Sequence, residues 1–206
     1  EIDIKALGQE LGPLPGTRVE VNRIAANLNV PSSDIILGEA ATETAVKQAA
    51  LDQYKIVYFA THGLVTGELK QFAKTKAEPS LAFTIPDKPT ELDNGLLSAS
   101  EVALLKLNAE WAVLSACNTA AGDGEGAEAL SGLARAFLYA GARSLVVSHW
   151  AVADDATANL MSALFKIADE NPQLTHGQAM QRAMVQMIEN AQDEEEAHPY
   201  FWAPFI

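Results

Sequence analysis

The fold is decided by a run of six residues, Lys55-Ile56-Val57-Tyr58-Phe59-Ala60, in which nearly every side chain is apolar. An apolar run of this length, without polar alternation, is typical of a strand that is covered on both faces. Two similar runs follow it, Ala112-Val113-Leu114-Ser115-Ala116 and Ser144-Leu145-Val146-Val147-Ser148. Helical patterns lie between and after these runs, at about 129–140, 155–169 and 176–190. Strands that alternate with helices predict an α/β fold, a three-layer sandwich whose mostly parallel sheet has helices on both faces.

Shorter signals predict the remaining elements. These are an amphipathic helix over 18–28, a strand at 35–37, a helix over 42–51, a strand at 81–85 and a helix over 98–105. Thr42 is a suitable N-cap for its helix, and Ser98 with Glu101 has capping-box spacing. Gly141 is expected to end the helix before it. The rest of 64–94 is rich in turn residues and is expected to form loops near the mouth of the sheet.

Length and composition indicate one globular domain over residues 1–206. The chain has 206 residues, of which 49% are apolar and 20% are charged, which is ordinary for a folded domain with its own core. No apolar run is long enough to cross a bilayer, so no membrane partner is expected. The sequence starts at Glu1 without a methionine or signal-like stretch. We therefore expect a domain excised from a longer chain.

Charge and cysteine content exclude several classes of function. The formal net charge of −13 repels nucleic-acid phosphates and argues against a nucleic-acid partner. Part of that charge is the run 193–196, which is expected to be a solvated loop. The single cysteine excludes a disulfide framework and a multi-thiolate zinc site. The histidines at 62, 149, 176 and 198 do not have metal-ligand spacing, so no metal is expected.

Two reactive side chains follow two of the predicted strands. His62 and Gly63 come just after the first strand, and Cys117 comes just after the second. Ligands of a parallel sheet bind beyond the carboxyl ends of its strands, so these side chains can meet if the two strands are neighbours. A thiolate is the attacking species, and a nearby imidazole supplies it. Taken alone, each residue is more often structural, Cys117 as a small buried hydrophobe.

Three other features match known functional motifs only in part: a dinucleotide fingerprint, two serines and a second histidine. The stretch 122–127 matches a dinucleotide fingerprint, but Asp123 and Glu125 would crowd a pyrophosphate with negative charge. Ser98 and Ser131 lie outside any Gly-x-Ser-x-Gly elbow, so a serine hydrolase has no nucleophile. His149 also lies at a strand end and competes with His62 as the base. We prefer His62 because Gly63 follows it, and we expect His149 to be a pocket wall or a structural residue.

Several motifs, in order along the chain, resemble the CHAT domain, a branch of the caspase-like cysteine peptidases. They are Phe59-Ala60-Thr61-His62-Gly63, Leu114-Ser115-Ala116-Cys117-Asn118-Thr119, Gly124-Glu125-Gly126, Leu133-Ala134-Arg135-Ala136-Phe137-Leu138-Tyr139-Ala140-Gly141-Ala142 and His198-Pro199-Tyr200-Phe201-Trp202-Ala203. The resemblance begins near Leu14-Pro15-Gly16 and runs to the end of the chain. It implies a caspase-like fold. It also agrees with the spacing of a caspase histidine roughly 50 residues before the cysteine.

The resemblance also implies roles for individual residues. Cys117 is expected to be the nucleophile and His62 the general base or ion-pair partner. The backbone N–H groups of Gly63 and Cys117 are expected to form the oxyanion hole. The stretch Trp150-Ala151-Val152-Ala153-Asp154 resembles one in separases, relatives that cleave after arginine, although this chain has Ala151 where separases have Asp. On that comparison Asp154, with Asp155, lines a pocket for Lys or Arg. The alternative is that these two carboxylates only cap the next helix.

The function predicted from these features is a cysteine endopeptidase that acts on a protein or peptide substrate without a metal or cofactor. CHAT domains often follow tetratricopeptide-like helical repeats, so the expected partner is an N-terminal repeat region that regulates the site. The competing class is a caspase-like interaction module without turnover. A weaker option is a transferase or self-processing acyl enzyme that uses the same thiolate. A lone reactive thiol suits a reducing cytoplasm.

Overall fold

A computed structural model of the chain shows that the apolar run at 56–60 forms the first strand of a parallel sheet, as predicted. The structure describes residues 2–73, 77–116, 132–150 and 154–206, with only the backbone of Asp154. Its strands are β1 (Ile56–Ala60), β2 (His62–Leu64), β3 (Ser80–Ala82), β4 (Leu96–Ser98), β5 (Trp111–Ser115) and β6 (Leu145–Val146). Its α-helices are α1 (Ile4–Glu10), α2 (Pro15–Asn27), α3 (Glu43–Gln48), α4 (Thr66–Leu69), α5 (Ala99–Val102), α6 (Gly132–Tyr139), α7 (Asp154–Glu170), α8 (His176–Asn190) and α9 (Pro199–Trp202). Short 3₁₀ turns lie at Ser32–Asp34, Gly38–Ala40 and Leu51–Gln53.

The chain divides into two compact units. The first contains Glu1–Pro13, Leu37–Ala151 and Ile206, and the second contains Leu14–Ile36 and Val152–Phe205. Both sheets belong to the first unit. In the second unit α7 packs against α2, α8 and α9. Four large apolar side chains of α7 are fully buried, namely Leu160, Met161, Leu164 and Phe165.

The parallel sheet has the strand order β1-β5-β6. All five residues of β5 are buried, whereas burial alternates along β1. Because successive side chains point to opposite faces, β5 is covered on both faces, as predicted, whereas one face of β1 is only half-buried. The predicted α/β class with a parallel sheet is thus confirmed. Phe137 of α6 lies against Phe59 of β1, with ring centroids 5.4 Å apart, so α6 covers the sheet with one large aromatic contact.

A second sheet of three short strands was not predicted. It is antiparallel, has the order β2-β3-β4 and pairs His62 with Ala82 and Ala82 with Leu96. Each strand has only three residues, too few to show alternation in the sequence. The predicted strand at 81–85 is correct only for its first two residues. The predicted strand at 35–37 is wrong, because this extended segment has no ladder partner among the described residues.

The predicted helix caps are confirmed, but two helices end about three residues before their predicted ends, α3 at Gln48 and α5 at Val102. The Thr42 side chain accepts the N–H of Ala45 and caps α3, and Ser98 forms the predicted capping box with Glu101 at α5. Gly141 follows α6 with φ +113°, and a Cβ there would lie 2.3 Å from the carbonyl oxygen of Leu107. That position requires glycine because the backbone conformation and the close approach both exclude a side chain.

Candidate functional site

The carboxyl ends of β1 and β5 lie side by side at one edge of the parallel sheet. Their register pairs Ala60 with Ser115, a difference of 55 in residue number. His62 and Cys117 differ by the same number, so each comes two residues after its strand. The condition set by the sequence, that the two strands be neighbours, is met. Cys117 itself lies outside the described residues, and its position and interactions stay a prediction.

His62 is the first residue of β2, immediately after a bend at Thr61. It is half-buried and pairs across the antiparallel sheet with Ala82, whose carbonyl accepts a hydrogen bond from the Thr61 hydroxyl. This bond and the β2–β3 pairing fix the backbone at the point where the chain leaves one sheet and enters the other. The local structure therefore holds the imidazole at the edge where β1 ends.

Among the residues that the structure describes, the imidazole of His62 makes one hydrogen bond. Its Nε2 lies 2.7 Å from the carbonyl oxygen of Gly12. A carbonyl oxygen can only accept, so Nε2 carries the hydrogen and donates it. In the neutral ring this leaves the lone pair on Nδ1, which is the nitrogen able to take a proton from another group.

Gly12 could not be identified as part of the site from the sequence. It is an exposed glycine between Leu11 and Pro13, and it acts through a main-chain carbonyl that every residue possesses. The only signal was the turn-forming Gly12-Pro13 pair, which predicts a loop but not its contact.

Gly63 is buried in β2 and pairs with Leu81. Its predicted place in an oxyanion hole also requires the N–H of Cys117, outside the described residues. That role therefore stays a prediction.

His149 follows the third strand of the same parallel sheet and is half-buried. The residue before it, Ser148, is buried and donates a hydrogen bond from Oγ to the carbonyl oxygen of Ala116 at 2.5 Å. Val147 exchanges two backbone hydrogen bonds of 3.0 Å with Ile206. The chain beyond β6 is thus fastened beside the end of β5. Because β5 is the central strand, His62 and His149 follow the strands on its opposite sides.

Asp154 and Asp155 are the first two residues of α7, in the second unit. Asp155 is exposed. Both residues lie inside the helix and not at its N-cap, so the capping alternative is not confirmed, although carboxylates in the first turn interact favourably with the helix dipole. The predicted pocket role of these two residues stays a prediction.

The loop over 83–95 leaves β3 at Ala82, the residue paired with His62, and is fastened by a polar cluster. Glu43 of α3 is fully buried and accepts the backbone N–H groups of Asn94 and Gly95 at 2.8 and 3.0 Å. Lys47 of α3 donates to Glu43, to the carbonyl of Leu92 at 2.8 Å and to Glu101 at 2.7 Å. These bonds fix the base of the loop next to the His62 end of the small sheet.

The charges of this cluster stabilise one another. Burial alone would lower the pKa of Lys47, but hydrogen bonds to Glu101 and Glu43 and their negative charges outweigh it and raise that pKa. Burial alone would raise the pKa of Glu101, but hydrogen bonds from Lys47 and Ser98 lower it. Both groups are therefore held in their charged forms at neutral pH.

In the part of the chain that the structure describes, no group of three or more His, Cys, Asp or Glu side chains is arranged to hold a metal ion. None of the helices described is both long enough and apolar enough to cross a membrane.

Comparison with known proteins places the chain in a family. A family model described as the CHAT domain matches residues 5–206. A search of curated proteins finds no match to the chain.

Proposed function

Because this chain belongs to the CHAT domain family, which is caspase-like, we propose that it is a cysteine endopeptidase that uses Cys117 and His62. The observation that carries this proposal is the pairing of β1 with β5. The register aligns Ala60 with Ser115, so the two proposed catalytic residues follow paired strand ends at equal distance. A parallel sheet presents such residues at the edge where ligands bind.

The proposed reaction starts with the thiol of Cys117. Nδ1 of His62 takes the thiol proton, because Nε2 is held as a donor by the Gly12 carbonyl. The thiolate attacks the peptide carbonyl, and the N–H groups of Gly63 and Cys117 stabilise the resulting oxyanion. The C–N bond then breaks, and the imidazolium gives its proton to the leaving amine. Water hydrolyses the acyl-enzyme and restores the thiol.

The proposed specificity is for Lys or Arg before the cut. Asp154 and Asp155 would receive that side chain, because a carboxylate binds a cation through a strong charge-assisted hydrogen bond. His149, which follows the strand on the far side of β5, would form part of the pocket wall. The acidic chain as a whole, with net charge −13, attracts a basic peptide in the same sense.

The second candidate function is a binding module that keeps the caspase-like fold without turnover. Family membership alone supports it equally. The paired strand ends favour the peptidase, since a binding module needs neither the thiol nor the imidazole there.

The proposal also includes regulation by an N-terminal repeat region and a reducing cytoplasmic location. Equal activity of the isolated domain and a repeat-containing chain on one substrate would refute that regulation.

Cleavage of fluorogenic peptides tests the proposed function. Peptides would carry Arg, Lys or Gln before the reporter. We expect cleavage after Arg and Lys, none by Cys117→Ala, and a rate about 10² to 10⁴ times lower for His62→Ala, the usual contribution of a general base. His176→Ala, at an exposed histidine of α8, is the matched control and should keep most of the activity.

The pocket has its own matched pair of variants. Asp154→Asn should slow cleavage after Arg by roughly 10- to 100-fold if it removes a charge-assisted hydrogen bond, with little change for Gln peptides. Comparison of Asp154→Asn with Asp155→Asn identifies which of the two carboxylates binds the basic side chain. Binding of the peptides without any cleavage, equally in the native and Cys117→Ala chains, would support the binding module instead.

A further inference from the structure

We propose that the N-terminal strap, defined as residues 2–12 and including α1, is a positioning element that controls the reactivity of Cys117 through His62. The inference rests on the proposed function of His62 as the base. The strap supplies the Gly12 carbonyl that accepts the hydrogen of Nε2. Docking of the strap therefore sets which ring nitrogen is free to act and holds the ring in place.

The strap packs on the small antiparallel sheet through one fully buried side chain, Leu7, with Ile2, Ile4 and Leu11 partly buried against the same cluster. Leu7 is 2% exposed and packs in an apolar cluster with residues of β2, β3, β4 and α4, namely Leu64, Ala82, Leu96 and Leu69, and with Ala77. At its start, Ile2 forms an isolated bridge with Ala73, and the N–H of Asp3 donates to the carbonyl of Phe72 at 2.7 Å. These contacts carry the chain to Gly12 beside His62.

The strap also contacts the loop over 83–95. A Cβ on Gly8 would lie 2.8 Å from Cδ1 of Ile85, and a Cβ on Gly95 would lie 2.8 Å from Cγ1 of the same side chain. Ile85 thus fits between α1 and the turn at Gly95. Docking of the strap is therefore linked to the loop that starts beside the residue paired with His62.

The attachment is light enough to open without unfolding the unit. Helix α1 has seven residues, of which only Leu7 is fully buried and Ile4 is partly buried, and a helix this short is not stable by itself in water. Gly12 is exposed. Segments with few buried contacts open at lower free energy than the core. Release of the strap would remove the acceptor from Nε2 and leave the imidazole free to rotate or change its tautomer, which makes it a poorer base.

The hydrogen on Nε2 gives a direct test that does not depend on peptidase activity. In the full 206-residue chain labelled with [¹⁵N]histidine, His62→Gln identifies the His62 signals. We expect a protected Nε2–H proton resonance in the native chain. It should disappear in Leu7→Ala and in a chain without residues 1–12, where the contact is not possible. Leu164→Ala, a matched truncation at a fully buried position of the second unit, should keep it.

Reactivity of the thiol is the second readout. Alkylation of Cys117 by iodoacetamide should slow roughly three- to tenfold in Leu7→Ala, the loss expected for one hydrogen bond, and should be unchanged in Leu164→Ala. In urea, the native Nε2–H signal should vanish before global unfolding, a measurement that needs no variant to fold. A signal that survives removal of the strap, or is lost only with global unfolding, would overturn the proposal. If peptides are not cleaved but the Nε2–H signal is lost whenever the strap is removed or weakened, the proposed peptidase function is refuted. The proposal that the strap positions His62 is then still supported.

Discussion

Lys47 is the residue whose removal should disturb the first unit most through charge. It lies between Glu43, whose side chain is 0% exposed, and Glu101. Lys47→Met would leave the Glu43 carboxylate buried without its cation. Breaking a buried pair from one side costs about 3 kcal/mol or more, so we expect the free energy of unfolding to fall by about 3 kcal/mol in urea denaturation.

A surface pair provides the control for this change. Lys55 and Glu110 are 3.6 Å apart, with the Lys55 side chain 82% exposed. Lys55→Met should cost less than about 1 kcal/mol because solvent screens such a pair. Equal losses for the two variants would contradict the account of the buried cluster.

The same cluster predicts how stability changes with pH. Because the folded protein lowers the pKa of Glu101, the stabilisation is complete above the ordinary glutamate pKa and is lost as pH falls through the lower folded value. Because the folded protein raises the pKa of Lys47, its contribution is lost only as pH rises through the raised value. The difference in unfolding free energy between the native chain and Glu101→Gln should therefore shrink from about pH 6 to about pH 3. A difference in unfolding free energy that stays constant across that pH range would contradict a stabilising role for the Glu101 charge.

At the residue scale, the sequence predicts residues that act through side chains and misses those that act through the backbone. His62 follows a strand and stands out by its ring, whereas Gly12 has no side chain and lies 50 residues away. Glu43 and Lys47 gave no sign of their contact with the loop over 83–95, since that contact depends on tertiary packing. The predicted roles of Cys117, Gly63, Asp154, Asp155 and His149 stay predictions.

Among the elements, the end of α6 has the strictest requirement for one residue type, glycine at position 141. Gly141→Ala places a methyl group 2.3 Å from the Leu107 carbonyl at a residue with φ +113°. We expect a loss of at least about 1–3 kcal/mol from backbone strain alone, measured by thermal or urea unfolding. The matched variant is Gly67→Ala in α4, where a Cβ meets nothing within 4 Å. It should be neutral or should stabilise by up to about 1 kcal/mol, and a comparable loss there would contradict the steric explanation.

At the element scale, length decides what the sequence can predict. The five-residue strands β1 and β5 and the long helices α7 and α8 carry patterns long enough to read, and their bounds agree with prediction within one or two residues. The three-residue strands β2 to β4 are stabilised by their neighbours and not by a pattern of their own. The apolar segment at 35–37 pairs with no strand in the described part of the chain, and an apolar pattern alone does not make it a strand.

For the whole molecule, the net charge of −13 predicts a dependence on salt. If the substrate is basic, attraction by the acidic chain speeds its association, and salt screens that attraction. The rate of Cys117 labelling by an Arg-containing peptide probe should fall when salt rises from about 0.05 M to about 0.5 M. Labelling by the matched Gln-containing probe should not change. Equal salt effects on the two probes would contradict charge attraction.

The central claim is that Cys117 and His62 act together, and intact-mass labelling by a peptide acyloxymethyl ketone that carries Arg tests it most directly. The account predicts one adduct, absent in Cys117→Ala, formed about 100-fold or more slowly in His62→Ala, and formed at close to the native rate in the control His176→Ala, an exposed histidine of α8. An adduct that forms equally fast with and without the His62 imidazole, while iodoacetamide modifies Cys117 at the rate of an ordinary thiol, would contradict the claim.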